Sequence, residues 1–476
     1  MNGVAKDVKD MGGAKKHFLL LPYPAFGHIT PLLELSRKIA ATGHQASLAV
    51  SESLLKDMRT RKMMTPQEET LINFVGLNDG IRHVFDEHFS TDVMCDVTDR
   101  CCAFLDGFIS NLPLSSKNDG SNHEMPPVDV ILADIIFGAV PFEAAVRSGI
   151  TCFGFSPVAG YIAAQMFRVQ EDTPTSSEDY DIIKEADPNM IAVAAAWKDG
   201  LVRFNKVLLQ TDGVLIHSFE ALEPTFCETV VQTRPDFKDL KIRFIGPILP
   251  NGSIYDDQHY RETKQILKWL DAQPERSVVY FSFGTVAVAN VAQIKEITDT
   301  LVGLKRPFIW SLRPAQQKFL PAEVQEASKP EFDSPNKPYL IVPWAPQKAV
   351  LKHKAVRVFV SHCGWNSTLE GISCGVPIVA WPMLGDQHGN AELVSAIGCG
   401  KKLAMVNMMG ERIVGREELT DIIDQVAQWN TPLMENSFFM TAQNLGQAAM
   451  AAISEGGNSA ETFKYLLDVS PKKQAM

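Results

Sequence analysis

A chain of 476 residues is long for one hydrophobic core, so two domains of roughly 200 residues each are the starting expectation. Its 45% apolar and 21% charged residues are those of an ordinary globular protein, and no apolar run approaches the roughly eighteen residues that would suggest a membrane span. A net charge of −11 argues against a nucleic-acid partner, and eight scattered cysteines without a CxxC pair argue against a disulfide framework or a zinc site.

Residues 1–14 read as a disordered leader and lack the build of a secretory signal, so a cytoplasmic monomer is expected. A short apolar strand follows at His17–Leu21, then a Pro-rich loop carrying His28. Thr30 with Pro31 behind it reads as a helix start, and Gly43 as the stop. Further strands are expected at Gln45–Val50, Ile72–Leu77, Val128–Ala133 with Asp134 at its carboxyl end, and Thr151–Phe155 ending at Ser156. The stretch from Val158 to Leu209 is helical, broken by the acidic loop EDTPTSSEDYD, and the half closes with a strand at Ile242–Ile245. The domain boundaries expected are 15–249 for the first half, 250–262 for a polar linker and 263–447 for the second half. A last helical segment, Ala448–Leu467, lies within a tail of 448–476.

The second half contains the most informative stretch, Trp344–Gln387. A β-branched run, Val356–Val360, ends in Ser361-His362-Cys363-Gly364 and then a helix start near Asn366. A second apolar run, Val376–Trp381, releases a loop with Asp386 and Gln387. Strand, glycine turn, helix and strand form one βαβ unit, and ligands of such sheets sit beyond the strands' carboxyl ends. Unpaired N–H groups at the helix start suit a diphosphate, with His362, Asn366 and Ser367 as added donors. Glu370 could accept both hydroxyls of a ribose, Asp386 and Gln387 could hold sugar hydroxyls, and Trp344 offers a flat face for a base. Singly, each has a plainer reading: Ser367-x-x-Glu370 is a capping box, His362 a strand-end histidine and Asp386 a turn former.

Together these residues resemble the signature box of the plant-type family 1 UDP-glycosyltransferases, with Trp344, Ala345, Gln347, His353, His362, Trp365, Asn366, Ser367, Glu370, Asp386 and Gln387 on its positions. LPYPAFGHITPLLELSRKI, SFEALEP, IGPILP, WLDAQPERSVVYFSFGT and EGGNS extend the resemblance over most of the chain. It departs at PAEVQEASKPEFDSPNKPYL, which replaces the segment usual ahead of the box. The resemblance implies an α/β GT-B fold of two facing Rossmann-like domains, the tail packing back on the first. It implies an inverting enzyme of secondary metabolism in which Trp344 stacks on uracil and Gln347 helps fix the uridine. His362, Asn366 and Ser367 would hold the diphosphate, Glu370 the ribose, and Trp365, Asp386 and Gln387 the sugar. Gln387 at the last position favours glucose as the donor sugar. Ser156 and Thr285 fall where the family has hydroxyls near the sugar and phosphates.

Displacement at the sugar needs a base for the attacking hydroxyl. A neutral imidazole oriented by a carboxylate suits this, and His28 and Asp134 both fall at strand ends of one sheet. The resemblance gives the same pair those roles. The acceptor is expected to be a small apolar phenol or alcohol, such as a phenolic or terpenoid, held by Phe104, Phe108, Met166 and Phe167, which are otherwise plain core. No metal or cofactor is expected, and Asp179-Tyr180-Asp181 reads as a solvated loop. Two rivals stand beside this reading. A UDP-sugar epimerase or hydrolase would turn over donor without acceptor, and a non-catalytic sugar-nucleotide sensor would have no use for His28.

Overall fold

The computed structural model describes residues 14–81, 91–113, 125–172, 188–250, 257–284, 290–328, 337–404 and 412–472. The expected leader apart from Ala14, the Asp179-Tyr180-Asp181 loop, Thr285 and the middle of the expected linker lie outside them. The chain divides into two compact units. The first comprises Met1–Asp179, Ala192–Ile248 and Glu455–Met476, and the second Tyr180–Ile191 and Leu249–Ser454.

The first unit is built on seven parallel strands: β1 His17–Leu21, β2 Gln45–Ser51, β3 Ile72–Leu77, β4 Val130–Asp134, β5 Thr151–Ser156, β6 Gly213–Ile216 and β7 Ile242–Phe244. Their order is β3-β2-β1-β4-β5-β6-β7, so the winding reverses between β1 and β4. Helices cover both faces, which is why the strands read as unbroken apolar runs. Successive side chains alternate between two cores: Leu19, Leu21, Ile131 and Ala133 enter one, and Phe18, Leu20, Val130 and Leu132 the other.

The second unit repeats the plan with six parallel strands, β8 Val278–Ser282, β9 Phe308–Ser311, β10 Tyr339–Val342, β11 Val356–Ser361, β12 Ile378–Ala380 and β13 Gly400–Lys402. The order β10-β9-β8-β11-β12-β13 puts its reversal between β8 and β11. A core of Phe281, Trp310, Val358, Val360 and Trp381 lies against this sheet.

Three element expectations need correction. The first helix spans Phe26–Ala41, so His28 lies in its first turn and not in a loop. Thr30 is inside the helix, its hydroxyl bonded back to Phe26 O at 2.8 Å, and Pro31 is accepted one turn in. The helix Asp257–Asp271 begins within the stretch read as linker, because Ile266, Trp269 and Leu270 give that polar run a buried stripe. The expected terminal helix is two, Ser437–Ile453 and Asn458–Asp468, separated by a turn in which Gly456 has φ of 80°. Among the described residues, no helix is long and apolar enough to cross a membrane.

The Asn458–Asp468 helix closes the first unit far from it in sequence. Leu466 and Leu467 enter the core of Phe18 and Leu20, Tyr465 meets Phe153 edge-on at 6.2 Å, and Lys472 pairs with Asp212. Leu466, fully buried, is therefore a core residue of the β1 side. Leu466→Ala is expected to destabilise the protein by about 2–5 kcal/mol, measured by urea unfolding, whereas Met434→Ala at an exposed position should change little.

Candidate active site

Register fixes the first cluster. Leu21 of β1 lies opposite Ala133 of β4, so the chain leaving β1 passes the last residue of β4, Asp134. Asp134 has no access to solvent. Its Oδ2 accepts from His28 Nδ1 at 2.8 Å and from the Tyr23 N–H at 3.2 Å, and its Oδ1 from the Ile136 N–H at 3.0 Å. A carboxylate here can only accept, so Nδ1 carries the hydrogen and Nε2 of His28 keeps its lone pair. His28 remains 21% exposed. Tyr23 packs its ring 5.4 Å from the imidazole, and its hydroxyl meets Thr98 Oγ1 at 3.2 Å. Burial pushes the Tyr23 phenol upward, so it stays protonated.

Beside this cluster, at the heads of β1–β3, a pocket is lined by Pro22, Ser51, Asp79, Phe104 and Phe137 among others. Ser51 donates to Asp79 Oδ2 at 2.6 Å, which fixes the polar end of an otherwise apolar wall. Phe104 stacks on Phe108 with centroids 6.1 Å apart, and both are half-buried.

The second cluster stands at the reversal of the other sheet. β11 delivers His362, then Cys363 with φ of 60°, then Gly364 as N-cap of the helix Trp365–Ser373. Space around the imidazole requires two glycines. A Cβ at Gly284 would lie 2.6 Å from His362 Cε1, and one at Gly364 would lie 2.7 Å from Nε2. Burial pushes His362 down to about 4, so at neutral pH it is an uncharged hydrogen-bonding group. Its Nδ1 is buried without a partner among the described residues.

Gln347, Ser367 and Glu370 are brought together. Gln347 Nε2 donates to Ser367 Oγ at 2.9 Å and to Glu370 Oε2 at 2.8 Å, while its Oε1 accepts from the Tyr280 hydroxyl at 3.2 Å. Glu370 is thus held by its neighbours and does not form the capping box, because the helix starts at Trp365 and is capped at Gly364. Asp386 Oδ2 accepts from Asn390 Nδ2 at 2.9 Å. Gln387 Oε1 accepts the N–H groups of Met383 and Leu384 at 3.0 and 3.1 Å, so its NH2 end is what it can present to a ligand. Trp344 is 37% exposed, and Ala345 beside it is buried.

Other expected site residues land elsewhere. Phe167 has no exposed surface, and its ring packs on Phe237 at 5.7 Å, so it is core and not pocket wall; Met166, its neighbour, is half-buried. Ser156 is fully buried, and its hydroxyl donates to Val158 O at 3.2 Å, a local strand-end bond. Trp365, at the helix start, is only 4% exposed, so its indole is buried. Asn366 lies in the first turn of that helix, and His353 binds Asp271 at 3.2 Å away from these clusters. Tyr23, Tyr280 and Asn390 escape a reading by motif. Asn390 alone carries a sequence signal, lying four residues beyond Asp386 on one helix face.

Two doubly wound parallel sheets, each with polar groups gathered at its reversal point, are the architecture of a GT-B fold. The family model for UDP-glucoronosyl and UDP-glucosyl transferases matches residues 232–428. UDP-glycosyltransferase 74C1 of Arabidopsis thaliana is 27% identical, over 94% of this chain and 97% of its own length. Crocetin glucosyltransferase of Gardenia jasminoides, a chloroplastic protein, is 28% identical over 96% and 98%. Os79 from O. sativa, solved with UDP, superposes with a TM-score of 0.70 at 25% identity, over 94% of this chain and 99% of its own. These likenesses support a plant-type family 1 UDP-glycosyltransferase.

The depressed histidine gives a signed pH effect. Between about 4 and its ordinary 6.5, His362 is neutral in the folded chain and protonated in the unfolded one. The unfolded state binds more protons there, so stability rises with pH across that window. His362→Gln should flatten that rise, measured by urea unfolding at pH 4.5, 5.5 and 6.5. Equal slopes in the two proteins would show that the folded imidazole takes its proton as readily as the unfolded one.

Proposed function

We propose that this UDP-glycosyltransferase moves glucose from UDP-glucose to a hydroxyl of a small apolar acceptor, a phenolic, terpenoid or similar compound, with inversion at the anomeric carbon. The observation that carries the reading is the bond from His28 Nδ1 to a fully buried Asp134, which leaves Nε2 basic at a partly exposed position. The acceptor oxygen attacks C1 of the glucose while His28 Nε2 takes its proton. The bond from C1 to the β-phosphate oxygen breaks, and its electron pair leaves with UDP, giving a β-glucoside. Asp134, bonded to Nδ1, stabilises the imidazolium as it forms, and the proton then passes to solvent. The step uses no metal and no cofactor.

In the same proposal Trp344 covers the uracil, and Gln347 and Glu370 hold the nucleoside. His362, Ser367 and the start of the helix at Trp365 and Asn366 meet the diphosphate. A neutral His362 acts there as a hydrogen-bond partner and not as a counter-charge. Asp386 and Gln387 hold the hexose. The half-buried pair Phe104 and Phe108 beside the His28 cluster supports an aromatic or apolar aglycone. Os79 was also solved with a trichothecene, and the Gardenia relative is named for crocetin. Cytoplasmic residence belongs to the proposal as well, and all eight cysteines are free thiols, which suits a reducing compartment.

Purified protein with UDP-glucose and a mixed panel of phenolics, terpenoids and steroids, read by mass spectrometry, should give products heavier by one hexose. His28→Ala should lower transfer by roughly 10²–10⁴-fold with UDP affinity unchanged. Asp134→Asn should also cost about two orders of magnitude or more, since an amide can present the wrong group to Nδ1. Transfer by His28→Ala at the wild-type rate would remove the base assignment. UDP-glucose turnover without any acceptor would favour a hydrolase or epimerase instead.

A further inference from the structure

The helix Gln387–Ala396 contains a fully buried amide, Asn390, that the transfer chemistry does not itself call on. Its Nδ2 reaches two parts of the unit at once, Cys363 O at 2.9 Å and Asp386 Oδ2 at 2.9 Å. An amide nitrogen has two hydrogens, so one is available to each acceptor. The Asn390 N–H also donates to Asp386 O at 3.0 Å, which fixes the amide one helical turn from the carboxylate.

Both acceptors sit where orientation matters. Cys363 occupies the left-handed region, φ 60°, a conformation that costs a residue with a Cβ and needs its surroundings to hold it. Ser361 Oγ accepts the Cys363 N–H at 3.1 Å, and Asn390 fixes its carbonyl. This turn aims the start of the Trp365–Ser373 helix. Asp386, at the N-cap position of its own helix, makes no side-chain cap bond there, so its carboxylate is turned toward Asn390 and not toward its helix N–H groups. The nucleoside end is tied differently, with Gln347 linking Tyr280, Ser367 and Glu370.

We propose that Asn390 is a positioning residue for the donor hexose: it fixes the separation between the turn at Cys363 and the Asp386 carboxylate, and thereby sets the preference for UDP-glucose over UDP. The proposal rests on the reading of Asp386 and Gln387 as the groups that hold the sugar. Loss of the amide removes one donor from the Cys363 carbonyl and one from the Asp386 carboxylate, which loosens the tie between them.

The test is a cycle of wild type, Asn390→Ala, Asp386→Ala and the double variant, with dissociation constants for UDP and UDP-glucose measured calorimetrically without acceptor. Asn390→Ala should raise the ratio of the UDP-glucose constant to the UDP constant about tenfold, the size of one hydrogen bond to a charged group, with UDP itself changed less than about threefold. In the Asp386→Ala background the same substitution should move that ratio less than about twofold. If Asn390→Ala weakens UDP and UDP-glucose equally, or costs the same in both backgrounds, Asn390 is structural and the proposal falls. If Asp386→Ala leaves the ratio unchanged, the sugar-site reading fails first. If Asp386→Ala raises it and Asn390→Ala does not, only the role of Asn390 fails. Should Asn390→Ala be insoluble, Asn390→Ser, which keeps one hydrogen, carries the same cycle with an intermediate ratio expected.

Discussion

A carboxylate without access to water must draw its hydrogen bonds from the protein, and at Asp134 that requirement organises the head of the first sheet. Three donors converge on it: the imidazole of His28, the N–H of Tyr23 and the N–H of Ile136. Each comes from chain that has just left β1 or β4, the two strands flanking the reversal. An uncompensated buried charge would cost several kcal/mol, so the loop after β1 and the first turn of its helix are held where they satisfy it. The tautomer of His28 follows as a consequence. Structure and tautomer here have one cause.

The second unit reaches an ordered site by a different route. Its imidazole, His362, is uncharged because burial disfavours its protonated form. A ring so placed needs room more than it needs charge, and Gly284 and Gly364 provide that room on two sides. The two histidines, each beside the reversal of its own sheet, therefore differ in kind. His28 is oriented by a buried carboxylate, and His362 is kept neutral by desolvation. The chain's net charge of −11 makes the second arrangement understandable: directed N–H groups, not bulk attraction, are left to receive an anionic ligand.

Strands were legible because doubly covered parallel strands leave unbroken apolar runs, and β1, β2, β3 and β11 lie within a residue or so of where those runs place them. The pairing of His28 with Asp134 could be suspected from their strand-end positions. That Tyr23 shares the same carboxylate oxygen could not, because a backbone N–H leaves no mark on the sequence. Helix boundaries were less legible. Pro31 looked like a first-turn residue, yet the turn before it is set by the His28 bond to Asp134, a tertiary constraint that local preference does not contain. Phe167 and Ser156 show the same limit from the other side. Their residue types suit a pocket or a polar site equally well as core or cap, and only the packing of Phe237 or the nearness of Val158 O decides.

Three amide side chains in the second unit show how far such a site is set before a ligand arrives. Gln387 faces two backbone N–H groups, which can only donate, so its oxygen is committed to them and its NH2 end is outward. Asn390 faces a carbonyl and a carboxylate, which can only accept, so its nitrogen is committed instead. Gln347 has an acidic partner at its nitrogen and a phenol at its oxygen, which fixes its polarity as well. Flipping Gln387 or Asn390 would lose the bonds at its committed end, and flipping Gln347 would lose bonds at both ends. Asp386, a carboxylate that accepts, and Gln387, whose amide nitrogen is not committed to those N–H groups, then stand side by side as an acceptor and a donor. A pair of neighbouring sugar hydroxyls can satisfy both at once, one giving its hydrogen to the carboxylate and the other receiving the amide's. In the proposed donor complex, selectivity for the hexose thus depends less on which residues line the site than on which way their amides are locked.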